Sequence, residues 1–442
     1  MVRATRRGRA GVADIRATWF VPLVVVLAIA AGAIVSHLVF PVLAKPYAVL
    51  AQPIAVVTGW GRPGVIAWAI YAATMLVAGI GYGFAIVRSR QTSLVVILAS
   101  SAAACCGAFA FRFIFSSDVY VYAAYGAMAA TGKDPYLYYT FPPLQLVNPQ
   151  WTHAIGFEWA SLPACVYGPA FIALSRAIVV ASHFDLPQTL LALRVLEIAA
   201  FIAAVGVAAH VVPNRGRLLA AVIGLNPVVI STVADGHNDA LVLLVIALGA
   251  FVALRKPELG AFIAGASALI KATGAVAALA LAYALYNRRF MIWACAAIGA
   301  CVLVHLFATQ LAGGYRTAAA TDFVGTGPAA VALGIRGLIG FALAARALYN
   351  AGKGNRAAAL AAGALVIWAL YPQDYPWYGV WLLPLAAFTL EQREGPVLIL
   401  LTFSSTLRYL SDAYGFAPAA PWLELIALVT PLAGYLREPL PT

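Results

Sequence analysis

Asp118 lies in the run Phe115-Ser116-Ser117-Asp118-Val119-Tyr120-Val121-Tyr122, at the exit of a long apolar segment, in a chain with only 10% charged residues. A carboxylate in or beside hydrocarbon is costly unless it meets water, a partner or a substrate, so Asp118 is a candidate for proton transfer. Tyr120, Tyr122 and Tyr125 follow, then Gly132-Lys133-Asp134-Pro135-Tyr136 and a polar, aromatic stretch ending at Trp159. Together these suit a substrate with a lipid tail and a polar head. The plain alternative for Asp118 is the N-cap of a helix over 118–131 that lies along a membrane interface with its tyrosines at headgroup level.

Two further loops carry dense polarity. In Ala234-Asp235-Gly236-His237-Asn238-Asp239, Asp235 and Asp239 flank an imidazole, an arrangement suited to sugar hydroxyls or to tuning a phosphate contact. The plain alternative is a turn and helix start, with Asn238 and Asp239 as caps. In Tyr371-Pro372-Gln373-Asp374-Tyr375-Pro376-Trp377-Tyr378, rings such as Trp377 could stack on sugar faces while Gln373 and Asp374 bond hydroxyls; an aromatic belt at the interface has the same composition. Arg408 and Lys271 are the cations best placed to meet a phosphate, with snorkelling or internal pairing as the alternative. Arg194 and Glu197, one helical turn apart, read as neutralising each other.

The elements that position these residues are apolar. Hydrophobic residues make up 63% of 442 positions and mean hydropathy is +0.90, beyond the roughly 45–50% apolar content of soluble domains. The expected class is an all-α, polytopic membrane protein. The net charge of +12 does not indicate nucleic acid, because the basic residues sit in short connecting loops: Arg3, Arg6, Arg7 and Arg9; Arg88 and Arg90; Arg215 and Arg217; Arg255 and Lys256; Arg288 and Arg289; Lys353 and Arg356. That is the positive-inside pattern. Trp19 to Phe40 lacks a small-residue cleavage site and reads as a retained first helix. Cys105, Cys106, Cys165, Cys295 and Cys301 lie mostly in apolar segments, without metal spacing.

Placing basic loops on the cytoplasmic side gives crossings at Trp19 to Phe40, Gly64 to Val87 and Thr92 to Phe113, with Asp118 outside. Leu162 to Ala181 and Thr189 to Val212 cannot both cross if Arg215 and Arg217 are cytoplasmic. The Pro163, Gly168 and Pro169 cluster marks the first of them as irregular or re-entrant. Leu259 to Ile270 and Thr273 to Tyr286 read as a short hairpin with Lys271 at its tip. The remaining runs are Met291 to Leu311, Ala330 to Leu348, Ala357 to Leu370, Trp377 to Thr389, Pro396 to Tyr409 and Pro421 to Leu436. The expected total is about 12 transmembrane helices plus re-entrant or interfacial pieces. One domain over 1–442 is expected, with N-terminal helices over 18–115, an extracytoplasmic loop over 116–160 and a bundle over 161–442.

There is no Walker loop, the six histidines are dispersed, and Gly79, Gly81 and Gly83 fall inside a membrane helix where they favour close packing. Neither a cofactor nor a metal is expected.

Ser117-Asp118-Val119-Tyr120 through Gly132-Lys133-Asp134-Pro135-Tyr136, Val166-Tyr167-Gly168-Pro169, Gly236-His237-Asn238-Asp239-Ala240-Leu241 and Ala268-Leu269-Ile270-Lys271 resemble, in order, the polyprenol-phosphomannose-dependent α-1,6-mannosyltransferases of the GT-C superfamily. The resemblance covers about Ala102 to Tyr414. It implies a GT-C-like fold in a bacterial-type plasma membrane, with the site on the extracytoplasmic side. It further implies a polyprenyl phosphate-linked sugar donor, a glycan or glycolipid acceptor, membrane lipid as surroundings, and Asp118 as general base. Tyr120, Tyr122, Lys133, Asp134, Tyr167, Asp235, His237, Asn238, Asp239, Lys271, Gln373, Asp374, Trp377 and Arg408 are the expected substrate contacts. A secondary transporter or lipid flippase using Asp118, Lys271 and Arg194 as coupling charges is the rival; polar loops gathered on one face favour the enzyme. A non-catalytic assembly partner that keeps the fold is a third reading.

Overall fold

The computed structural model describes residues 11–43, 55–56, 62–137, 165–212, 214–285, 288–308 and 328–370, together with 380, 383–384, 396–404 and 406. The described chain is predominantly helical. Its elements are α1 (Gly11–Leu43), β1 (Ala55–Val56), α2 (Arg62–Arg88), α3 (Leu94–Phe109), β2 (Phe113–Ile114), α4 (Asp118–Ala130), α5 (Pro169–Ala181), α6 (Leu186–Ala208), α7 (Gly216–Gly224), α8 (Pro227–Ala234), α9 (Asp239–Ala253), α10 (Pro257–Ala266), α11 (Thr273–Leu285), α12 (Arg288–Ala308), α13 (Pro328–Gly352) and α14 (Arg356–Leu370). β1 and β2 pair in parallel, Ala55 with Phe113 and Val56 with Ile114.

The expectation of about 12 transmembrane helices is overturned. Among the described residues, three helices are long and apolar enough to cross a membrane: Phe20–Phe40, Gly64–Arg88 and Leu186–Ala208. A fourth results only if α7 and α8, bent by 59° at their junction, count as one span. An apolar run is not the same thing as a helix. The run from Thr92 becomes α3, which ends at Phe109 after 16 residues, about 24 Å at 1.5 Å per residue and short of the ~30 Å hydrocarbon layer. The run to Ala181 becomes α5, started by Pro169 and only 13 residues long. α14 has 15 residues. Met291–Cys301, within α12, is among the shorter apolar helical stretches of the described residues. Most of the three runs expected after Trp377 lies outside the described residues.

Helix starts follow local chemistry. Ser93 Oγ accepts the Val96 N–H ahead of α3, Asp185 Oδ1 accepts the Gln188 N–H ahead of α6, and Asn226 Oδ1 accepts the N–H groups of Val228 and Val229 ahead of α8. Pro occupies the first turn of α5, α6, α8 and α10, where its missing N–H costs nothing.

Two apolar clusters form the core. The larger joins α1, α2, α3, α6, α7, α8, α9 and later helices around Ile29, Tyr82, Ile97, Phe201 and Val222. The smaller joins α4, α5 and the start of α6 around Tyr122, Tyr125, Phe171 and Leu190. Here α4 and α5 meet backbone to backbone: a Cβ on Gly126 would come within 2.7 Å of the Ser175 carbonyl carbon, and Ser175 Oγ donates to the Tyr122 carbonyl at 2.6 Å.

This packing corrects a second expectation. Tyr120, Tyr122 and Tyr125 are buried in protein, at 0%, 0% and 2% exposure, so α4 does not spread its tyrosines into a headgroup layer. Nor is Asp118 a cap. Ser117 is the N-cap residue, without a side-chain cap bond, and Asp118 is the first residue of the helix.

Between the clusters, Gly168 N–H donates to the Ile270 carbonyl at 2.8 Å, and Tyr167 pairs with Lys271 in an antiparallel bridge. A Cβ on Gly168 would collide with the Leu269 carbonyl. Gly168→Ala is therefore expected to separate the two segments and to lower thermal stability by about 1–3 kcal/mol, the usual cost of overpacking. Differential scanning fluorimetry in detergent measures this; an unchanged midpoint would show that the contact relaxes freely.

Candidate active site

The site forms where the start of α4, the 235–239 turn and the 267–271 segment converge. α8 ends at Ala234; Gly236, at φ +96°, turns the chain back in a conformation that L side chains rarely adopt; α9 then begins at Asp239. This turn presents His237, Asn238 and Asp239 to Asp118. All three are buried, whereas the Asp118 side chain is 25% exposed.

Asp118 Oδ2 gathers the polar contacts. His237 Nδ1 lies 3.4 Å away, the Tyr122 hydroxyl 3.4 Å and the Tyr167 hydroxyl 3.4 Å. The Asp118 N–H itself donates to Ser116 Oγ at 3.2 Å. The Tyr122 hydroxyl is also 3.4 Å from Asn238 Oδ1, so one proton serves two acceptors. Behind these groups Lys271 Nζ donates to Asp239 Oδ2 at 2.8 Å, both side chains being buried. The ammonium also sits 5.9 Å from the Tyr167 ring centroid.

The tyrosines are held by rings rather than by polar contacts. Tyr122 meets Tyr167 edge-on at 4.9 Å and Phe171 at 4.8 Å, a geometry worth about 0.5–1.5 kcal/mol per pair beyond burial. Burial and then the Asp118 charge push both hydroxyls well above their ordinary range, so each stays a donor.

For Asp118, burial pulls the carboxyl upward, but the His237 hydrogen bond, the charges of His237 and Lys271 and the Ser116 contact outweigh it and hold the group below its usual range. A carboxyl depressed in the folded state stabilises the fold above its unfolded value of about 3.9, and that contribution fades as pH falls through the lower folded value. The thermal midpoint of Asp118→Asn relative to the parent is therefore expected to lie lower at neutral pH and to converge on it in acid; a constant difference across pH would contradict this. Asp235 behaves oppositely. Burial raises it to about 6, against the opposing charges of Arg194 and His237 and a hydrogen bond from the Phe115 backbone.

Of the residues expected in the site, Asp118, Tyr122, Tyr167, His237, Asn238, Asp239 and Lys271 come together. Asp235 adjoins them at the end of α8. Tyr120 is fully buried in the same cluster. Lys133 and Asp134 form the turn beyond the other end of α4, where Asp134 Oδ1 accepts the Tyr136 N–H at 2.9 Å. The turn is tied to the site through the Tyr136 hydroxyl, which donates to the Tyr167 carbonyl at 3.1 Å. Gln373, Asp374, Trp377 and Arg408 lie outside the described residues.

Arg194 and Glu197 do not neutralise each other. Arg194 Nε donates to the Ala234 carbonyl at 2.6 Å and Nη2 to the Phe109 carbonyl at 3.1 Å, with the guanidinium 4.0 Å from the Phe109 ring centroid. One side chain thus satisfies the C-terminal ends of α3 and α8, where cations are favoured, and sets the start of the 235–239 turn. Glu197 Oε2 accepts the Leu241 N–H at 3.2 Å in the first turn of α9. Two ionisable residues one turn apart in an apolar helix were the available signal; their partners are tertiary. Among the described residues, the buried side-chain atoms with no hydrogen-bond partner include Asn238 Nδ2, Asp239 Oδ1 and Glu197 Oε1. Unpaired buried polar atoms are rare and call for a reason.

Apolar helices around a buried, charge-bearing cluster are consistent with a membrane-associated protein. A family model described as α-(1→6)-mannopyranosyltransferase, N-terminal domain, matches residues 19–288, and the chain belongs to that family. It is similar to α-(1→6)-mannopyranosyltransferase B of Corynebacterium glutamicum, at 29% identity over 152 residues, covering 33% of this chain and 24% of that protein. The chain thus matches about a quarter of that relative's length. No solved structure matches.

Proposed function

We infer that the protein transfers a hexose, mannose by kinship with its family, from a polyprenyl phosphate carrier to a hydroxyl of a glycan or glycolipid acceptor. The reaction is placed on the extracytoplasmic side of a bacterial-type plasma membrane. The observation that carries this reading is the grip on one oxygen of Asp118 by His237, Tyr122 and Tyr167 beside the Lys271–Asp239 pair. That grip keeps the carboxylate ionised, the form that can take a substrate proton.

In the step, the acceptor O–H gives its proton to Asp118 while its oxygen forms a bond to the anomeric carbon. The bond from that carbon to the carrier phosphate breaks on the opposite face, and the electron pair leaves with the phosphate, so the anomeric configuration inverts. A phosphate is a stable anion and needs no proton from an acid; it needs positive charge nearby, which Lys271 supplies. Asn238 Nδ2 and Asp239 Oδ1, a donor and an acceptor without protein partners, are suited to sugar hydroxyls.

The test is to reconstitute the protein in vesicles with radiolabelled polyprenyl phosphate mannose and mannan oligosaccharides, then digest the product with linkage-specific mannosidases. Label is expected in the oligosaccharide through an inverted linkage, with free polyprenyl phosphate released. Movement of the labelled lipid across the membrane without any product would replace this reading with that of a transporter.

A further inference from the structure

A second polar feature occupies the opposite end of the helices. α3 starts at Leu94 and ends at Phe109, whose carbonyl takes Arg194; the α7–α8 pair starts at Gly216 and ends at Ala234, whose carbonyl takes the same side chain. Leu94 and Gly216 therefore share the end distant from Asp235 to Asp239, about 24 Å away along α3. A half-open cavity of about 790 Å³ lies there, lined by Arg90, Leu94, Ala209, Asn214, Arg215, Gly216, Arg217 and Leu218.

The lining holds three guanidiniums and no carboxylate. Arg90 comes from the turn after α2, Arg215 from the N-cap of α7 and Arg217 from its first turn, and Arg217 Nη1 donates to the Arg90 carbonyl at 3.0 Å, which ties the turn to the helix. The first turn of α7 faces the same space through Gly216, Arg217 and Leu218, and Arg215 at its N-cap offers no side-chain cap bond. Arginines scattered through short loops are explained by the positive-inside pattern. Arginines that converge on one cavity from a turn and from the start of a separate helix, joined by that helix's first N–H groups without a side-chain cap, are a more specific arrangement. It matches an anion with several oxygens in a small volume, since guanidinium forks and helix N-termini both favour phosphate.

We propose that this cavity is a binding site for a phosphate-bearing anion, separate from the Asp118 site. The phosphate can belong to the headgroup of an anionic membrane lipid, as in other basic pockets between membrane helices, or to a soluble phosphate.

The test uses the full-length protein in a neutral detergent, titrated separately with short-chain phosphatidylglycerol, short-chain phosphatidylcholine and inorganic phosphate, with binding read by microscale thermophoresis. The variants are Arg90→Gln, which keeps the backbone carbonyl that Arg217 uses, and the double variant Arg90→Gln/Arg217→Gln. Both side chains are exposed, so folding is expected to survive, and circular dichroism checks it. Saturable binding of phosphatidylglycerol over phosphatidylcholine, weakened about tenfold or more in the double variant, supports a lipid headgroup site. Saturable binding of inorganic phosphate with the same loss, and no preference between the lipids, supports a soluble ligand. Absence of saturable binding by any probe, or equal binding by the parent and both variants, overturns the proposal.

Discussion

Asp118→Asn is expected to lower the rate of sugar transfer by about 10²–10⁴-fold, the usual worth of a positioned general base. The substitution keeps size and shape, and the amide oxygen can still accept from Tyr122 and Tyr167, so the variant should fold and bind donor lipid much as the parent does. What it loses is the ability to take the acceptor proton. Asp118→Glu retains the carboxylate but moves it by one methylene, and a displacement near 1 Å can itself cost about 10²-fold. Single-turnover transfer from radiolabelled polyprenyl phosphate mannose separates the chemical step from binding. Transfer by Asp118→Asn at the parental rate would remove Asp118 from the mechanism.

Lys271→Met is expected to destabilise the protein by about 3–5 kcal/mol, the range seen when one member of a buried ion pair is removed. The reason is the charge left behind. Asp239 is fully buried and its Oδ1 already lacks a partner, so without the ammonium at 2.8 Å it must either stay charged in an apolar setting or take up a proton. The double variant Lys271→Met/Asp239→Leu removes both charges and should regain most of the stability without regaining transfer. Thermal unfolding in detergent, run beside the transfer assay, separates the two effects. If the double variant is no more stable than Lys271→Met alone, the uncompensated charge is not the source of the loss.

Much of the site could be read from residue types. Asp118, His237, Asn238, Asp239 and Lys271 are polar residues at the margins of apolar runs, where burial is costly enough that chance placement is disfavoured. The long spans α1, α2 and α6 were legible for the related reason that their apolar runs are uninterrupted. The other runs misled because hydropathy reports composition and not continuity. Pro169 and the end of α3 at Phe109 cut apolar stretches into helices too short to cross. The tyrosines of α4 misled because a ring with a hydroxyl suits an interface and a packed core equally well, and only the close approach of α5 decides between them. Arg194 took its partners from helix ends that lie far from it in the chain, which no local spacing reveals.

The backbone bridge between Tyr167 and Lys271 has a consequence for engineering. It fastens the aromatic wall and the cation to one shared footing, so neither can be retuned alone. A chimaera that imports the 166–169 stretch of a relative without its 268–271 counterpart should misalign both, whereas exchanging the two as a matched set should preserve their register. Substrate preference resident in these residues would then pass between homologues only as a pair.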